Sequence, residues 1–225
     1  MRHQSHCYNK KRAEKITTMS SPSRRIHISA EEYLKREKET DIRHEYVDGQ
    51  VFAMSGATEA HNLICANIQM FLHSHVSKTG CRVFQNGMKL RIEHLNRFYY
   101  PDIMLTCEQF EPKSLFKEAP ILIAEVLSPS TQQIDHREKF IAYKQIPSLK
   151  EYLLIHQERR RVEMYNKDQK GEWFLTVASG AESIELQSLP TGAVELPLEV
   201  FYEGYELPYT VRESEEEYTL EAQPT

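Results

Sequence analysis

The chain has 225 residues, of which 40% are hydrophobic and 27% are charged, and its formal net charge is −5. This length and apolar content predict one domain with a sizeable core. No apolar run approaches the roughly 20 residues that cross a bilayer, and the N-terminus lacks the apolar segment of a secretory signal, so the sequence excludes a transmembrane protein and predicts a soluble, cytoplasmic one.

Charge is distributed unevenly along the chain. Residues 1–25 contain seven Lys or Arg and one Glu, whereas residues 212–225 contain five Glu and one Arg. Both compositions predict disordered ends around a folded domain at residues 26–211. The remaining body is more acidic than the whole chain, which counts against a simple electrostatic nucleic-acid binder.

The first half of the domain shows helix and hairpin signals in alternation. "HISAEEYLKREKE" predicts a helix, because Ser29 and Glu32 form a capping-box pattern. "RHEYVDGQVFAMSG" predicts a hairpin with a type I′ turn at Asp48-Gly49. "TEAHNLICANIQMFLHSHV" predicts a long helix with a broad apolar face, beginning after a cap at Thr58.

Strand patterns dominate the second half. "CRVFQN", "MKLRIE", "FYYPDIMLT" and "PILIAEVL" predict four strands, which we expect to lie side by side. "IDHREKFIAYKQI" has helical spacing up to Pro147, and "EYLLIH" and "RRVEMYN" predict a strand pair that turns at "QERR". The order of elements predicts an α/β or α+β fold with a mixed sheet packed by helices.

The four cysteines, Cys7, Cys65, Cys81 and Cys107, are widely scattered. They form no CxxC pair and no Cys/His spacing typical of zinc sites. The sequence therefore predicts reduced thiols that are mostly buried.

Two carboxylates interrupt strands that are otherwise apolar. Glu125 lies in the middle of "PILIAEVL", the pattern of a strand covered on both faces, and Asp102 follows Pro101 in "FYYPDIMLT". A buried carboxylate is costly unless it is paired, hydrogen-bonded or bound to a metal. Asp102 alone is equally well explained as an acceptor of backbone hydrogen bonds at a bulge.

Together the two acids predict a metal site. Acids on successive strands of one sheet can share a divalent cation, and hard oxygen ligands suit Mg²⁺ or Mn²⁺. Such an ion polarises a phosphate and activates a water. Lys139, on the helix after the Glu125 strand, offers a positive charge to balance the charge that develops.

Three segments, "YYPDIML", "PILIAEVLSPSTQQIDHREKFIAY" and "EYLLI", resemble the Uma-two type of predicted endonucleases, a branch of the PD-(D/E)xK nuclease superfamily. The resemblance covers roughly residues 28 to 202, which is nearly the whole predicted domain. Its most specific part is "EVLSPST" followed by Asp135 and Lys139, and "EYVDG" and the Glu-Ala-His segment ending at His61 agree with it.

The resemblance implies a restriction-endonuclease-like fold, with a mixed central sheet flanked by helices and a divalent-metal site. Its metal-binding acids correspond to Asp102 and Glu125, and Glu45 would complete the metal shell. The usual lysine of the superfamily would lie two residues after Glu125, where this chain has Leu127. Lys139 would then supply the charge from the next helix.

Each further candidate also has a plainer explanation. Asp135 and Lys139 are four residues apart, which fits an ordinary surface ion pair on a helix. Glu45 fits an exposed strand residue of the hairpin. His61 would either contact a scissile phosphate or cap the long helix.

The predicted function is a Mg²⁺- or Mn²⁺-dependent endonuclease that acts on DNA, and nuclease folds of this type often form homodimers. The first alternative is a catalytically inactive nucleic-acid or protein-binding module on the same fold, which Leu127 favours. The second is a metal-dependent hydrolase of a small phosphorylated molecule, which would need a closed pocket.

Overall fold

The computed structural model describes residues 27–127 and 135–207. Segments 1–25 and 212–225, which were predicted to be disordered, lie outside the described residues, as do the domain boundaries at 26 and 211 and the "SPST" part of the motif. These boundaries therefore stay predictions.

The described residues form four helices and one short 3-10 turn. They are α1 (Ala30–Arg36), α2 (Glu59–Val76), α3 (Asp135–Tyr143), α4 (Leu198–Phe201) and the 3-10 turn Glu93–Leu95. Within the described ranges, none of the helices is long and apolar enough to cross a membrane.

In the same part of the chain there are thirteen strands. They are β1 (His44–Val47), β2 (Gln50–Ala53), β3 (Arg82–Gln85), β4 (Lys89–Ile92), β5 (Arg97–Tyr99), β6 (Ile103–Thr106), β7 (Phe116–Lys117), β8 (Pro120–Leu127), β9 (Glu151–His156), β10 (Arg161–Lys167), β11 (Trp173–Ser179), β12 (Ser183–Leu186) and β13 (Val194–Pro197).

The local signals of the sequence are confirmed. The Ser29 hydroxyl accepts the N–H of Glu32 at the start of α1, and Thr58 caps α2 in the same way. Asp48 (φ 44°) and Gly49 (φ 87°) join β1 to β2 with the two positive φ angles of a type I′ turn. The turn of β9 into β10 also lies where "QERR" predicts it.

The strands form two large sheets and one small one. A mixed six-stranded sheet has the order β11-β10-β9-β8-β6-β3, a five-stranded sheet has the order β2-β1-β5-β4-β7, and β12 pairs with β13. The predicted mixed α+β class is therefore confirmed. The expectation that all four middle strand patterns lie side by side is wrong, because β4 and β5 belong to the five-stranded sheet.

The chain passes between the two large sheets at two neighbouring points. "FYYPDIMLT" is divided at Pro101, which lacks a backbone N–H, so that β5 and β6 serve different sheets. Asn86, between β3 and β4, has a left-handed φ of 50°, and its N–H donates to the carbonyl of Asp102 at 3.0 Å. Asp102 therefore lies at the junction of the two sheets.

The six-stranded sheet is covered on both faces. Alternate residues of β8, such as Leu122 and Ala124, pack in the cluster that contains α2 residues, and Ile123 and Leu127 pack in the cluster that contains the end of α3. Since side chains of a strand alternate between faces, Glu125 shares the α3-facing side. An acid on that side is surrounded by core residues.

The cysteine prediction is partly wrong. Cys81 and Cys107 form a disulfide, whereas Cys65 is free and buried as predicted. The pair is close because Cys81 precedes β3 and Cys107 follows β6, and the antiparallel register sets the adjoining residues opposite each other. Cys7 lies outside the described residues.

Candidate active site

The structure gathers all five predicted site residues in one cleft of about 1230 Å³. They come from four regular elements and one junction: Glu45 from β1, His61 from α2, Glu125 from β8, Lys139 from α3, and Asp102 from the crossing between the sheets. Residues far apart in sequence thus meet where the two large sheets adjoin.

Asp102 is buried and uses both carboxylate oxygens. Its Oδ2 accepts the backbone N–H of Val126 at 2.8 Å, and its Oδ1 lies 3.1 Å from Nε2 of His61. The plainer explanation of Asp102, as an acceptor of a backbone hydrogen bond, is therefore part of the structure. That same bond ties Asp102 to the residue after Glu125, so it also holds the two acids together.

Glu125 is 3% exposed and faces one tyrosine and one lysine. The Tyr143 hydroxyl donates to its Oε1 at 2.9 Å, and Nζ of Lys139 is 3.6 Å from the same oxygen. Burial raises the pKa of Glu125 to about 8; Lys139 opposes this shift, whereas the charges of Asp102 and Glu45 add to it. The positive charge of Lys139 is thus not enough to keep the pKa of Glu125 at its usual value.

Lys139 bridges two carboxylates from different sheets. Its Nζ is 2.9 Å from Oε1 of Glu45 and 3.6 Å from Oε1 of Glu125, and only 15% of its side chain is exposed. Burial by itself would lower the pKa of Lys139, but the two carboxylates raise it above its usual value, so the side chain is charged. Lys139 is not an exposed surface residue, and the side chain of Asp135 lies outside what the structure describes.

Glu45 points into the cleft, with 17% of its side chain exposed, so it is not the exposed strand residue of the plainer explanation. Besides Lys139, its Oε1 accepts the backbone N–H of Tyr100 at 3.4 Å. Tyr100 follows β5, which pairs with β1. The acid is therefore fixed from its own sheet and from α3.

His61 contacts Asp102 and does not itself cap α2. The capping atom is the Thr58 hydroxyl, which accepts the His61 N–H at 3.1 Å. Burial would lower the pKa of His61, but the hydrogen bond and charge of Asp102, helped by Glu125, raise it. His61, Cys65 and Asp102 each offer a ligand atom within 4.8 Å of one another.

Sequence reasoning missed the tyrosines of the site. Tyr143 is one helical turn after Lys139 on α3, and this spacing of four residues is the signal that would have found it. Tyr99 lies with its ring centroid 5.9 Å from Nζ of Lys139. Leu127, at the usual lysine position, is a buried core residue instead.

Comparison with known proteins gives one family. The family model Uma2, described as "Putative restriction endonuclease", matches residues 30–199. Two proteins of Synechocystis sp. (strain ATCC 27184 / PCC 6803 / Kazusa) are similar: uncharacterized protein slr1290 is 32% identical over 178 residues, which cover 79% of this chain and 92% of that protein. Uncharacterized protein sll1609 is 36% identical over 165 residues, which cover 71% and 92%.

A solved structure with the same fold is among the matches. It is a crystal structure from Anabaena variabilis ATCC 29413, described as "a putative nuclease belonging to DUF820". The TM-score is 0.63 at 18% identity, and the match covers 77% of this chain and 97% of that one. At this identity the likeness establishes the fold alone.

Proposed function

Because this chain belongs to the Uma2 family, whose model is described as "Putative restriction endonuclease", we propose that it is a divalent-metal-dependent endonuclease that hydrolyses phosphodiester bonds of DNA. The observation that carries the proposal is that three carboxylates, Glu45, Asp102 and Glu125, line one accessible cleft, and that Lys139 contacts two of them, Glu45 and Glu125. Burial of this much charge costs folding free energy, so a core selected only for stability would not be expected to contain it.

The donor set fits Mg²⁺ or Mn²⁺. Asp102, Glu125 and Glu45 offer hard oxygen ligands, which these ions prefer. Asp102 and Glu125 are both buried, and Lys139 alone does not balance their charge together with that of Glu45, so a divalent cation would relieve an existing electrostatic cost. When bound, such an ion polarises the phosphate and lowers the pKa of a bound water.

The protein side chains have separate tasks in this proposal. Lys139 keeps its positive charge beside Glu125 and would stabilise the negative charge that grows on the phosphate. Tyr143 and the Val126 N–H hold Glu125 and Asp102 in fixed orientations. His61 orients the second oxygen of Asp102 and lines the cleft, and the hydrogen bond and charge of Asp102 raise the pKa of its imidazole.

A catalytically inactive binding module on the same fold is the second candidate. The observation in its favour is the core position of Leu127, which removes the usual lysine of the superfamily. Lys139 reaches Glu125 from α3 on the same side of the sheet and can replace the missing charge. The homodimer, the cytoplasmic location and DNA as the substrate stay predictions.

A metal-binding and nicking experiment tests the proposal. Mn²⁺ should raise the melting temperature of the wild type by mass action and support nicking of plasmid DNA. Asp102→Asn should lose both effects. Glu163→Gln is the matched control, because Glu163 lies on β10, outside the cleft, and pairs with Arg161 and His156.

The outcomes separate the two candidates. A wild type that binds Mn²⁺ and nicks DNA, with an inert Asp102→Asn, supports the enzyme. A wild type that binds DNA but does not cut it with Mn²⁺ or Mg²⁺ supports the binding module. Equal stabilisation of wild type and Asp102→Asn by Mn²⁺ would remove the proposed metal site.

A further inference from the structure

One face of the β1–β2 hairpin continues the cleft beyond the carboxylates. Glu45 and Phe52 are paired across the two strands, and directly opposed residues share a face. Since Glu45 points into the cleft, Phe52 does as well, and it lines the cleft wall with half of its surface exposed. A large aromatic side chain thus lies open to solvent beside a candidate metal-binding acid.

Two cations lie beside the ring of Tyr100, a residue that lines the cleft. Arg43 immediately precedes β1 and lines the cleft, whereas Lys89 lies on β4. Cζ of Arg43 is 6.0 Å from the centre of the Tyr100 ring, and Nζ of Lys89 is 5.1 Å from that centre. Within residues 27–127 and 135–207, neither cation has a carboxylate within salt-bridge distance.

Apart from their contacts with the Tyr100 ring, the two cations thus have no ion-pair partner within salt-bridge distance among the described residues. The rest of the cleft near the junction is acidic, through Glu45, Asp102 and Glu125. A ligand that satisfies both regions must carry anionic groups toward Arg43 and Lys89. A flat apolar group would cover Phe52. Nucleic acid offers both, because each nucleotide joins a phosphate to a planar base.

We propose that the hairpin face is a nucleotide subsite, in which an unpaired base stacks on Phe52 and the neighbouring backbone phosphate contacts Arg43 and Lys89. The inference rests on the proposed nuclease function and adds a preference for single-stranded or locally unpaired DNA. The reason is steric: in a duplex both faces of a base are covered by neighbouring bases, whereas an unpaired base has a face free for an aromatic side chain.

Direct binding measurements test this subsite. Fluorescence anisotropy in EDTA, which prevents metal-dependent cleavage, would follow three labelled probes of equal length: a single strand, its duplex, and a single strand with abasic sites. The test variants are Phe52→Ala and Arg43→Gln. Phe174→Ala is the aromatic control, because Phe174 is also 50% exposed but lies on β11, and Lys170→Gln is the exposed cationic control.

Each probe reports on one half of the subsite. Phe52→Ala should weaken binding of the normal single strand by roughly 5- to 100-fold and leave the abasic strand unchanged, because only the base contact is lost. Phe52→Trp should restore the affinity. Arg43→Gln should weaken both single strands and reduce the slope of log K against log salt concentration by roughly 0.7 to 1. The two control variants should bind as the wild type does.

The results that would overturn the inference differ from those that would overturn the function. If the wild type nicks plasmid with Mn²⁺ but Phe52→Ala binds the single strand normally, the subsite is wrong and the nuclease stands. The same holds if the wild type binds duplex as tightly as single strand. If the wild type neither binds nor cuts any DNA, both proposals are wrong, and Phe52 is then a candidate contact for a protein or a second copy of the chain.

Discussion

Replacing Glu125 with Gln should stabilise the metal-free protein while abolishing its activity. Gln has the same shape as Glu and keeps an oxygen that can accept a hydrogen bond from the Tyr143 hydroxyl. It lacks the negative charge of Glu125, a residue that is only 3% exposed. A functional site often carries such a stability cost. If the carboxylate had only a structural role, its replacement would instead lower the stability of the protein.

The magnitude follows from the pKa. The pKa of Glu125 rises from 4.5 to about 8 through burial, with Lys139 opposing and Asp102 adding to the shift. Because the folded state holds the proton more tightly, the penalty is absent below pH 4.5, grows as the pH rises, and is constant above about 8. At neutral pH it amounts to about 3 kcal/mol.

Denaturant unfolding in EDTA at several pH values measures this penalty. The stability of wild type should fall relative to Glu125→Gln as the pH is raised from 5 to 8, and at neutral pH the melting temperatures should differ by about 6 to 12 °C. A variant that is less stable by about 1 to 3 kcal/mol at every pH would refute the reasoning. In that case Glu125 is a structural hydrogen-bond acceptor.

Two other perturbations test the lysine and the disulfide. Lys139→Met should destabilise the protein by about 3 to 5 kcal/mol, because it leaves two carboxylates without their buried cation. Nicking by this variant should fall by orders of magnitude. Lys144→Met is the control in both assays, because Lys144 is exposed and lies just beyond α3. Lys139 would be dispensable if this variant were as stable and active as wild type. Reduction of the Cys81–Cys107 bond should lower the unfolding free energy by about 3 kcal/mol, and a Cys81→Ser/Cys107→Ser variant should not respond to reductant. An unchanged wild-type melting curve in reductant would contradict this.

Local signals in the sequence predicted the elements well. The Asp48-Gly49 turn and the Ser29 and Thr58 caps depend on a few adjacent residues, and each was found where expected. Glu125 was also identifiable, because a carboxylate inside an apolar strand is a conflict that the sequence displays directly. Conflicts of this kind are visible without knowledge of the fold.

Other features depend on contacts between distant segments and were not readable in advance. The alternation of apolar residues in β4 and β5 would be the same in either sheet. It therefore did not reveal that these two strands join the five-stranded sheet, whereas β3 and β6 join the six-stranded one. The Lys139–Glu45 contact likewise links residues of α3 and β1. The Cys81–Cys107 bond depends on the register of β3 with β6, which no spacing rule supplies.

Because the site is divided between two sheets, it is complete only when both sheets have folded and docked. Glu45 belongs to the five-stranded sheet, Glu125 belongs to the six-stranded sheet, and Lys139 spans the gap between them. A partly folded chain in which either sheet has formed alone holds an incomplete set of carboxylates. An opening motion that parts the sheets would disperse the set while most backbone hydrogen bonds persist. Hydrolytic competence would therefore arise late during folding, when the two halves dock, and would vanish early during denaturation.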